Sequence, residues 1–289
     1  MTNIKVIEKI GKNPGKKILI LAGVHGDEVC GIKAFNSLIQ KLNIISGKVI
    51  FIYANLEAIK QDKRCIEYNL NRCFLKEQPP EIKDTLEGKT AKEIIPYLEW
   101  ADIMLDLHAS FTDGSSPFVI CDEKQTSNAS IFNSDTVTYN WDKFEPGSTD
   151  YFMNLQNKPG FCFECGYSKS KKSQEIAEKA IINFLVFTEN IDGKLNRTSN
   201  QRYIKINGIY KNKSDYFKKA RYFKDFEKLK ERALIGIDGD EKIYANKDTI
   251  LLFVTDTSKS GEECFLTAEE TLLNNRNLNK LKECFRAEQ

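Results

Sequence analysis

Only two histidines occur among the 289 residues, His25 and His108, and each follows an apolar run. His25 stands in AGVHGDEVCG, directly after KILIL, with Glu28 three positions on; His108 closes ADIMLDLH, with Asp106 two positions before it. Imidazole and carboxylate groups are the ligands of catalytic zinc, which takes three protein donors and leaves a fourth position for water. His25 and Glu28, at i and i+3, share a face if Glu28 lies in a first helical turn. His108, from a neighbouring strand, then completes a His2Glu set. Asp106 falls on the same strand face as His108. It either accepts a proton from an imidazole or faces solvent as a strand-end carboxylate. A polar loop that happens to hold a histidine is the alternative for any single short match. Both histidines and two carboxylates at one expected sheet edge favour the metal.

Glu164 lies in GFCFEC, embedded among Phe161, Cys162, Phe163 and Cys165. Apolar neighbours raise a carboxyl pKa toward neutrality. That suits a general base that takes a proton from zinc-bound water and passes it to a leaving amine. The other reading is a carboxylate facing out from an edge strand. In DKRCIEYNLNRCF, Asn71 and Arg72 adjoin, and Arg64 precedes Arg72 by eight residues. Arginines beside a zinc site bind substrate carboxylates in fork geometry and polarise carbonyls, though loops also carry solvated arginines.

Taken together, GVHGDE, YNLNRCF, DLHAS and FECG resemble the HxxE, NR, DLH and late-glutamate motifs of the succinylglutamate desuccinylase/aspartoacylase family, relatives of the zinc carboxypeptidases. Order and spacing match over about residues 15 to 190. The resemblance implies one zinc per chain on His25, Glu28 and His108, with Glu164 as catalytic base. It also implies that Arg72, Asn71 and Arg64 recognise the carboxylate or carbonyl of an acyl amino acid, and that a smaller β domain caps the site. The chain departs from the family pattern at Asp27, where Asn is frequent, at Asn69, where Asp is frequent, and in ASFTDGSSPFVICDE after the DLH motif. No C-terminal tyrosine, Tyr244 included, is assigned to the pocket.

The elements that must position these residues can be read from periodicity. KKILILA, KVIFIYA, ADIMLDL, PFVIC and GFCFEC read as strands. DEVCGIKAFNSLIQKLN, with Val29, Ile32, Phe35, Leu38 and Ile39 at helical spacing, TAKEIIPYLEW and SQEIAEKAIINFLVF read as helices. Such alternation implies an α/β fold, a mixed and mostly parallel sheet with flanking helices, and ligands bind beyond the carboxyl ends of its strands. Periodicity fades in TENIDGKLNRTSNQ. The expected division is a catalytic domain over 1–192 and a smaller, mainly β domain over 200–289, in which YFKKARYFKDFEKLKER is either a helix or a solvated excursion.

Hydrophobic residues at 41% and charged residues at 29% describe a globular chain. No apolar run is long enough to span a bilayer, so no membrane partner is expected. A net charge of +2 without a long basic stripe excludes nucleic acid as the main partner. The N-terminus lacks the apolar core of a secretory signal, which favours the cytoplasm. Eight cysteines, scattered from Cys30 to Cys284, are then expected as free thiols. The close pair Cys162 and Cys165 would face opposite sides of a strand, which disfavours a CxxC metal or redox site.

The reading that unites these features is a zinc-dependent hydrolase of a linear amide, with a small N-acyl amino acid or similar carboxylate as substrate. A zinc carboxypeptidase acting on a small peptide or peptidoglycan fragment would use the same ligands, and the missing export signal counts against a cell-wall substrate. A catalytically inactive, metal-stabilised binding protein is the non-enzymatic alternative; against it, every expected catalytic position is filled.

Overall fold

The computed structural model describes residues 2–272; Cys284 and the rest of the expected C-terminal domain beyond Leu272 lie outside the described residues. Strands β1 (Lys5–Ile10) and β2 (Asn13–Ala22) open the chain. Helix α1 (Cys30–Leu38), strand β3 (Ser46–Tyr53) and helices α2 (Leu56–Gln61), α3 (Pro80–Lys83) and α4 (Leu86–Trp100) follow. Next come β4 (Ile103–Ser110), β5 (Phe118–Cys121), β6 (Thr136–Tyr139), α5 (Thr149–Leu155), β7 (Gly160–Tyr167) and α6 (Lys172–Phe187). After a stretch without helix or strand come β8 (Arg202–Lys211), β9 (Phe217–Lys219), β10 (Glu227–Lys228), β11 (Leu234–Asp238), β12 (Glu241–Tyr244), β13 (Ile250–Leu252) and β14 (Glu263–Thr271).

Eleven strands form one sheet in the order β1-β3-β2-β4-β7-β5-β6-β8-β14-β13-β10, and β12-β11-β9 form a small antiparallel sheet. Parallel pairing dominates where helices alternate with strands: β2 lies between β3 and β4, β4 pairs with β7, and β5 with β6. Antiparallel pairs add β1 and join β5 to β7. This is the mixed sheet with flanking helices and a mainly β C-terminal part that the sequence pattern implies. The sheet also runs across the stretch around residues 192–200, because β8 pairs in parallel with β6, Thr136 opposite Arg202.

The apolar run of β2 is continuous because both faces of the sheet are covered. Ile18, Ile20 and Ala22 meet α1 and α6 on one side, where Phe132 stacks on Phe163 with centroids 5.1 Å apart. Leu19 and Leu21 meet Ile94 and Leu98 of α4 on the other. Truncating one of these phenylalanines to alanine would cost about 3–5 kcal/mol.

The ambiguous segment YFKKARYFKDFEKLKER is not helical; it contributes β9, β10 and the turns around them. Its buried anchors, Phe217, Phe223 and Leu229, recur every six residues and so cannot line one helical face.

Candidate active site

The site lies at the carboxyl edge of three neighbouring parallel strands. On β4, Asp106, His108 and Ser110 share one face, while Leu105, Leu107 and Ala109 enter the core on the other. Cys162 and Glu164 line the cavity from β7, and Phe163 and Cys165 point into the core. The register of β4 and β7 sets His108 directly opposite Glu164.

His25 and Glu28 meet through a turn rather than along a helix. The helix expected from Asp27 begins at Cys30, and Glu28 precedes it, its N–H donating to the His25 carbonyl at 3.2 Å. The turn packs so closely on α2 that a Cβ at Gly26 would stand 2.2 Å from the Ala58 carbonyl carbon. Only glycine fits there.

All three ligand candidates are buried, with His25 4%, Glu28 3% and His108 3% exposed. His25 Nδ1 lies 2.8 Å from Glu28 Oε1, and His108 Nδ1 lies 3.0 Å from Glu28 Oε2. The other imidazole nitrogens also face oxygen: His25 Nε2 is 2.9 Å from Asn69 Oδ1, and His108 Nε2 is 3.1 Å from Asp106 Oδ2, without full hydrogen-bond alignment. Asn69 Oδ1 additionally accepts the Asn71 N–H, which fixes the amide orientation. Burial, reinforced by Arg64, lowers the His25 pKa to about 4 against the pull of Glu28. A neutral imidazole has one N–H. If that proton serves Asn69, the Nδ1 lone pair points at a carboxylate oxygen. Such an arrangement fits a cation between them, and the ligand atoms of His25, Glu28 and His108 all lie within 4.8 Å of one another.

A second group with metal-ligand spacing, Asp106, His108 and Cys162, shares His108 and lies behind it. Thr149 donates to Asp106 Oδ2 at 2.7 Å, and Cys162 Sγ donates to Asp150 at 3.2 Å. Asp106 is therefore fully buried beside His108, and the alternative of a solvent-facing carboxylate is corrected. Burial alone would lower the His108 pKa, but Asp106, Cys162 and Glu28 together hold it well above the usual imidazole range.

Glu164 is 8% exposed, and its Oε2 has no hydrogen-bond partner. Burial, with Glu28 nearby, pushes its pKa up to about 8 against the opposing effects of His108 and Arg64. The carboxylate does not face out from an edge strand, since β7 lies between β4 and β5.

Arg64 sits in an irregular loop after α2. Glu87, fully buried on α4, anchors that loop by accepting the N–H groups of Ile66, Glu67 and Tyr68 at 2.7, 3.2 and 3.1 Å. Arg64 Nη1 donates to Glu28 Oε1 at 3.0 Å, while 47% of its side chain remains exposed. Arg72 is not free: its Nη1 donates to the Asn71 carbonyl at 2.9 Å and its Nη2 pairs with Glu145. The Glu145 loop is seated by Gly147, at φ +93°, where a Cβ would lie 2.7 Å from the Arg72 carbonyl oxygen. Asn71 Oδ1 accepts the Thr149 N–H at 3.3 Å.

These groups share a cavity of about 480 Å³. Its other wall comes from the C-terminal strands and their loops, including Lys219, Tyr222, Glu263 and Phe265. Tyr222 is the tyrosine of this wall, its hydroxyl donating to the Asp113 carbonyl, whereas Tyr244 is exposed on β12 and does not line the cavity. Asp225 ties this wall to the loop after β4, accepting hydroxyl protons from Ser110 at 2.8 Å, Thr112 at 3.0 Å and Ser115 at 2.8 Å. Sequence reasoning gave no role to Asn69, Glu145, Asp225 or Tyr222. Of these, only Asn69 carried a signal, as a departure from the family pattern.

Comparison with known proteins agrees with this architecture. Residues 14–191 match the succinylglutamate desuccinylase/aspartoacylase catalytic domain. Succinylglutamate desuccinylase of Shewanella sp. (strain W3-18-1) is 36% identical over 104 residues, 34% of this chain and 30% of that protein. A probable aspartoacylase of Nostoc sp. is 28% identical over 173 residues, 53% of this chain and 56% of that protein. The alignments thus span about a third to just over half of these curated relatives. Among solved structures, succinylglutamate desuccinylase of Vibrio parahaemolyticus superposes with a TM-score of 0.76 at 18% identity, over 92% of this chain and 86% of the other. The Rhodobacter sphaeroides protein of the same family gives 0.70 at 19%, over 93% and 89%. With the family match extending over more than half of the chain and the sheet superposing on these structures, the protein belongs to the succinylglutamate desuccinylase/aspartoacylase family.

Proposed function

We propose that the chain is a zinc-dependent hydrolase that cleaves the linear amide bond of an N-acyl amino acid, with one zinc per chain on His25, Glu28 and His108. The observation that carries this reading is the buried meeting of two imidazole Nδ1 atoms on one carboxylate, with Glu164 on the adjacent strand. Zinc held there would act as a Lewis acid toward the scissile carbonyl and lower the pKa of water.

The remaining work falls to the chain's own side chains. Asn69 and Asp106 flank the two imidazoles at their Nε2 edges, which would leave both Nδ1 atoms turned inward toward a metal. Glu164, with one unpartnered oxygen and a pKa displaced toward neutrality, takes the proton of the attacking water and returns it to the leaving nitrogen. Arg64 spends one N–H on Glu28 and has others to meet the carbonyl oxygen as negative charge develops. Asn71 and Arg72 receive the substrate carboxylate farther along the cavity. The C-terminal segment caps the site, a role supported by Lys219, Tyr222 and Phe265 in the cavity wall.

No helix among the described residues is long and apolar enough to cross a membrane. The seven described cysteines are free thiols, which supports the cytoplasm as the location.

The test is a screen of the zinc-loaded protein against N-acetyl amino acids, N-succinyl amino acids and short peptides, reading released amine. Hydrolysis of acyl amino acids in preference to peptides is expected. Peptide preference would replace the proposal with a carboxypeptidase, and no hydrolysis with zinc bound would leave a metal-stabilised binding protein.

A further inference from the structure

A cavity meant for a purely acidic acyl amino acid needs cations that no protein carboxylate already occupies. The wall around Arg72 is built otherwise. Arg72 Nη2 pairs with Glu145, whose side chain is 10% exposed, and the same nitrogen lies 3.9 Å from Glu263 Oε2. Two carboxylates therefore crowd one side of a single guanidinium. Of the other cations nearby, Arg64 gives one N–H to Glu28 and in the reading above keeps the rest for the scissile carbonyl, and Lys211 reaches Glu263 only at 3.7 Å and is half exposed. Lys219 lines the cavity with its Nζ directed at the Val254 carbonyl, 3.5 Å away.

We propose that the substrate carries an ammonium group as well as its carboxylate, and that Glu145 and Glu263 receive the ammonium while Arg72 and Asn71 receive the carboxylate. The inference rests on the amide-hydrolase reading above and narrows its substrate class. Like charges brought together in a partly dry cavity cost free energy, so a second substrate carboxylate beside Glu145 is rejected as strongly as an ammonium is welcomed. Burial first, and the neighbouring carboxylate second, act on Glu145 itself. Burial pushes its pKa up to about 7 despite Arg72, and Glu263 adds to the rise. An ammonium placed against the pair would stabilise both carboxylates and loosen the hold of Glu145 on Arg72.

The experiment uses the zinc-loaded full chain and two substrate sets. Nα-acetylornithine and Nε-acetyllysine carry an ammonium and a carboxylate; N-acetylaspartate and N-succinylglutamate carry carboxylates alone. Wild type is expected to favour the first set by about tenfold or more in kcat/KM, the scale of one charged hydrogen bond. Glu145→Gln keeps an acceptor for Arg72 but removes the charge, and should shift the preference toward the acidic set by about ten- to a hundredfold. Glu263→Gln, at a half-exposed position tolerant of substitution, should shift it in the same direction. A wild-type preference for the acidic set would overturn the inference and leave the amide-hydrolase reading standing. So would a uniform loss on both sets in both variants, which would make Glu145 and Glu263 mere supports of Arg72. Hydrolysis of neither set would overturn the underlying reading, and this inference with it.

Discussion

His108 and Glu164 stand opposite each other on adjacent parallel strands, one turning an imidazole nitrogen to Glu28 and the other leaving a carboxyl oxygen unpartnered. The sheet register thus fixes the distance between the proposed ligand and the proposed base without help from any loop. Glu164→Gln preserves shape while abolishing proton uptake, so zinc content, measured by elemental analysis, should match wild type. Turnover should fall by about 10² to 10⁴, mainly in kcat. Loss of zinc from this variant would make Glu164 a ligand and the assignment of a base wrong.

The imidazole of His25 rests on a neutral amide, Asn69, rather than on a carboxylate. A carboxylate partner raises the basicity of a ligating histidine, and supports of this kind are worth about 10- to 100-fold in metal affinity. Asn69→Asp should therefore tighten zinc binding in competition with a chelator, and Asn69→Ala should weaken it. Equal affinity in both variants would remove Asn69 from the metal site.

Removing Arg72 has a consequence for stability that the sequence could not reveal. Arg72→Ala leaves Glu145 buried without its cation, a change that costs about 3–5 kcal/mol for a fully buried pair and less at this partly open wall. Adding Glu145→Gln should restore much of the loss in urea unfolding, but not recognition of the substrate carboxylate. The pH dependence follows from the raised Glu145 pKa. The folded state holds this proton more tightly than the unfolded state, so the group's contribution is complete below about 4.5, its ordinary value, and is lost as pH rises toward about 7. Against Glu145→Gln, wild type should lose stability over that interval at up to about 1.4 kcal/mol per pH unit. A parallel pair of curves would show that Glu145 titrates normally.

What could be read in advance was whatever a local pattern carries. The apolar runs of β2, β4 and β7 announced their strands, and the candidate site followed because His25 lies just beyond β2 while His108 and Glu164 stand in the carboxyl-terminal halves of β4 and β7. Glu28 was expected inside a helix because the apolar spacing of α1 starts at Val29. The close approach of Gly26 to Ala58, invisible in sequence, makes a turn instead. Arg72 could be named but not its state, since Glu145 lies 73 residues away in the chain. The C-terminal wall was legible only as short β segments. Its aromatic anchors are spaced by a tertiary path rather than by a helical or strand period.

Asp225 belongs to the same unreadable class, 115 residues from Ser110, yet it fastens the C-terminal wall to the end of β4 and the loop that leaves it. Besides the hydroxyls of Ser110, Thr112 and Ser115 it accepts the Phe253 N–H at 3.0 Å, so one carboxylate gathers four donors from two segments. Hydrogen bonds to a charged group contribute about 1.5–3 kcal/mol each when their partner is removed, and they share one acceptor here, so the total is less than the sum. Asp225→Ala should lower unfolding stability by at least about 1.5 kcal/mol. It should also make residues 111–116 more open to limited proteolysis, because the Tyr222 hydroxyl on the Asp113 carbonyl is then left to hold that loop to the wall. Since this loop borders the cavity, KM should rise more than kcat falls. Asp225→Asn, which keeps one acceptor oxygen, should lie between wild type and alanine in both measurements. A proteolysis pattern and KM identical to wild type in Asp225→Ala would mean that the loop is held by its own turn and that Asp225 does not fasten the wall.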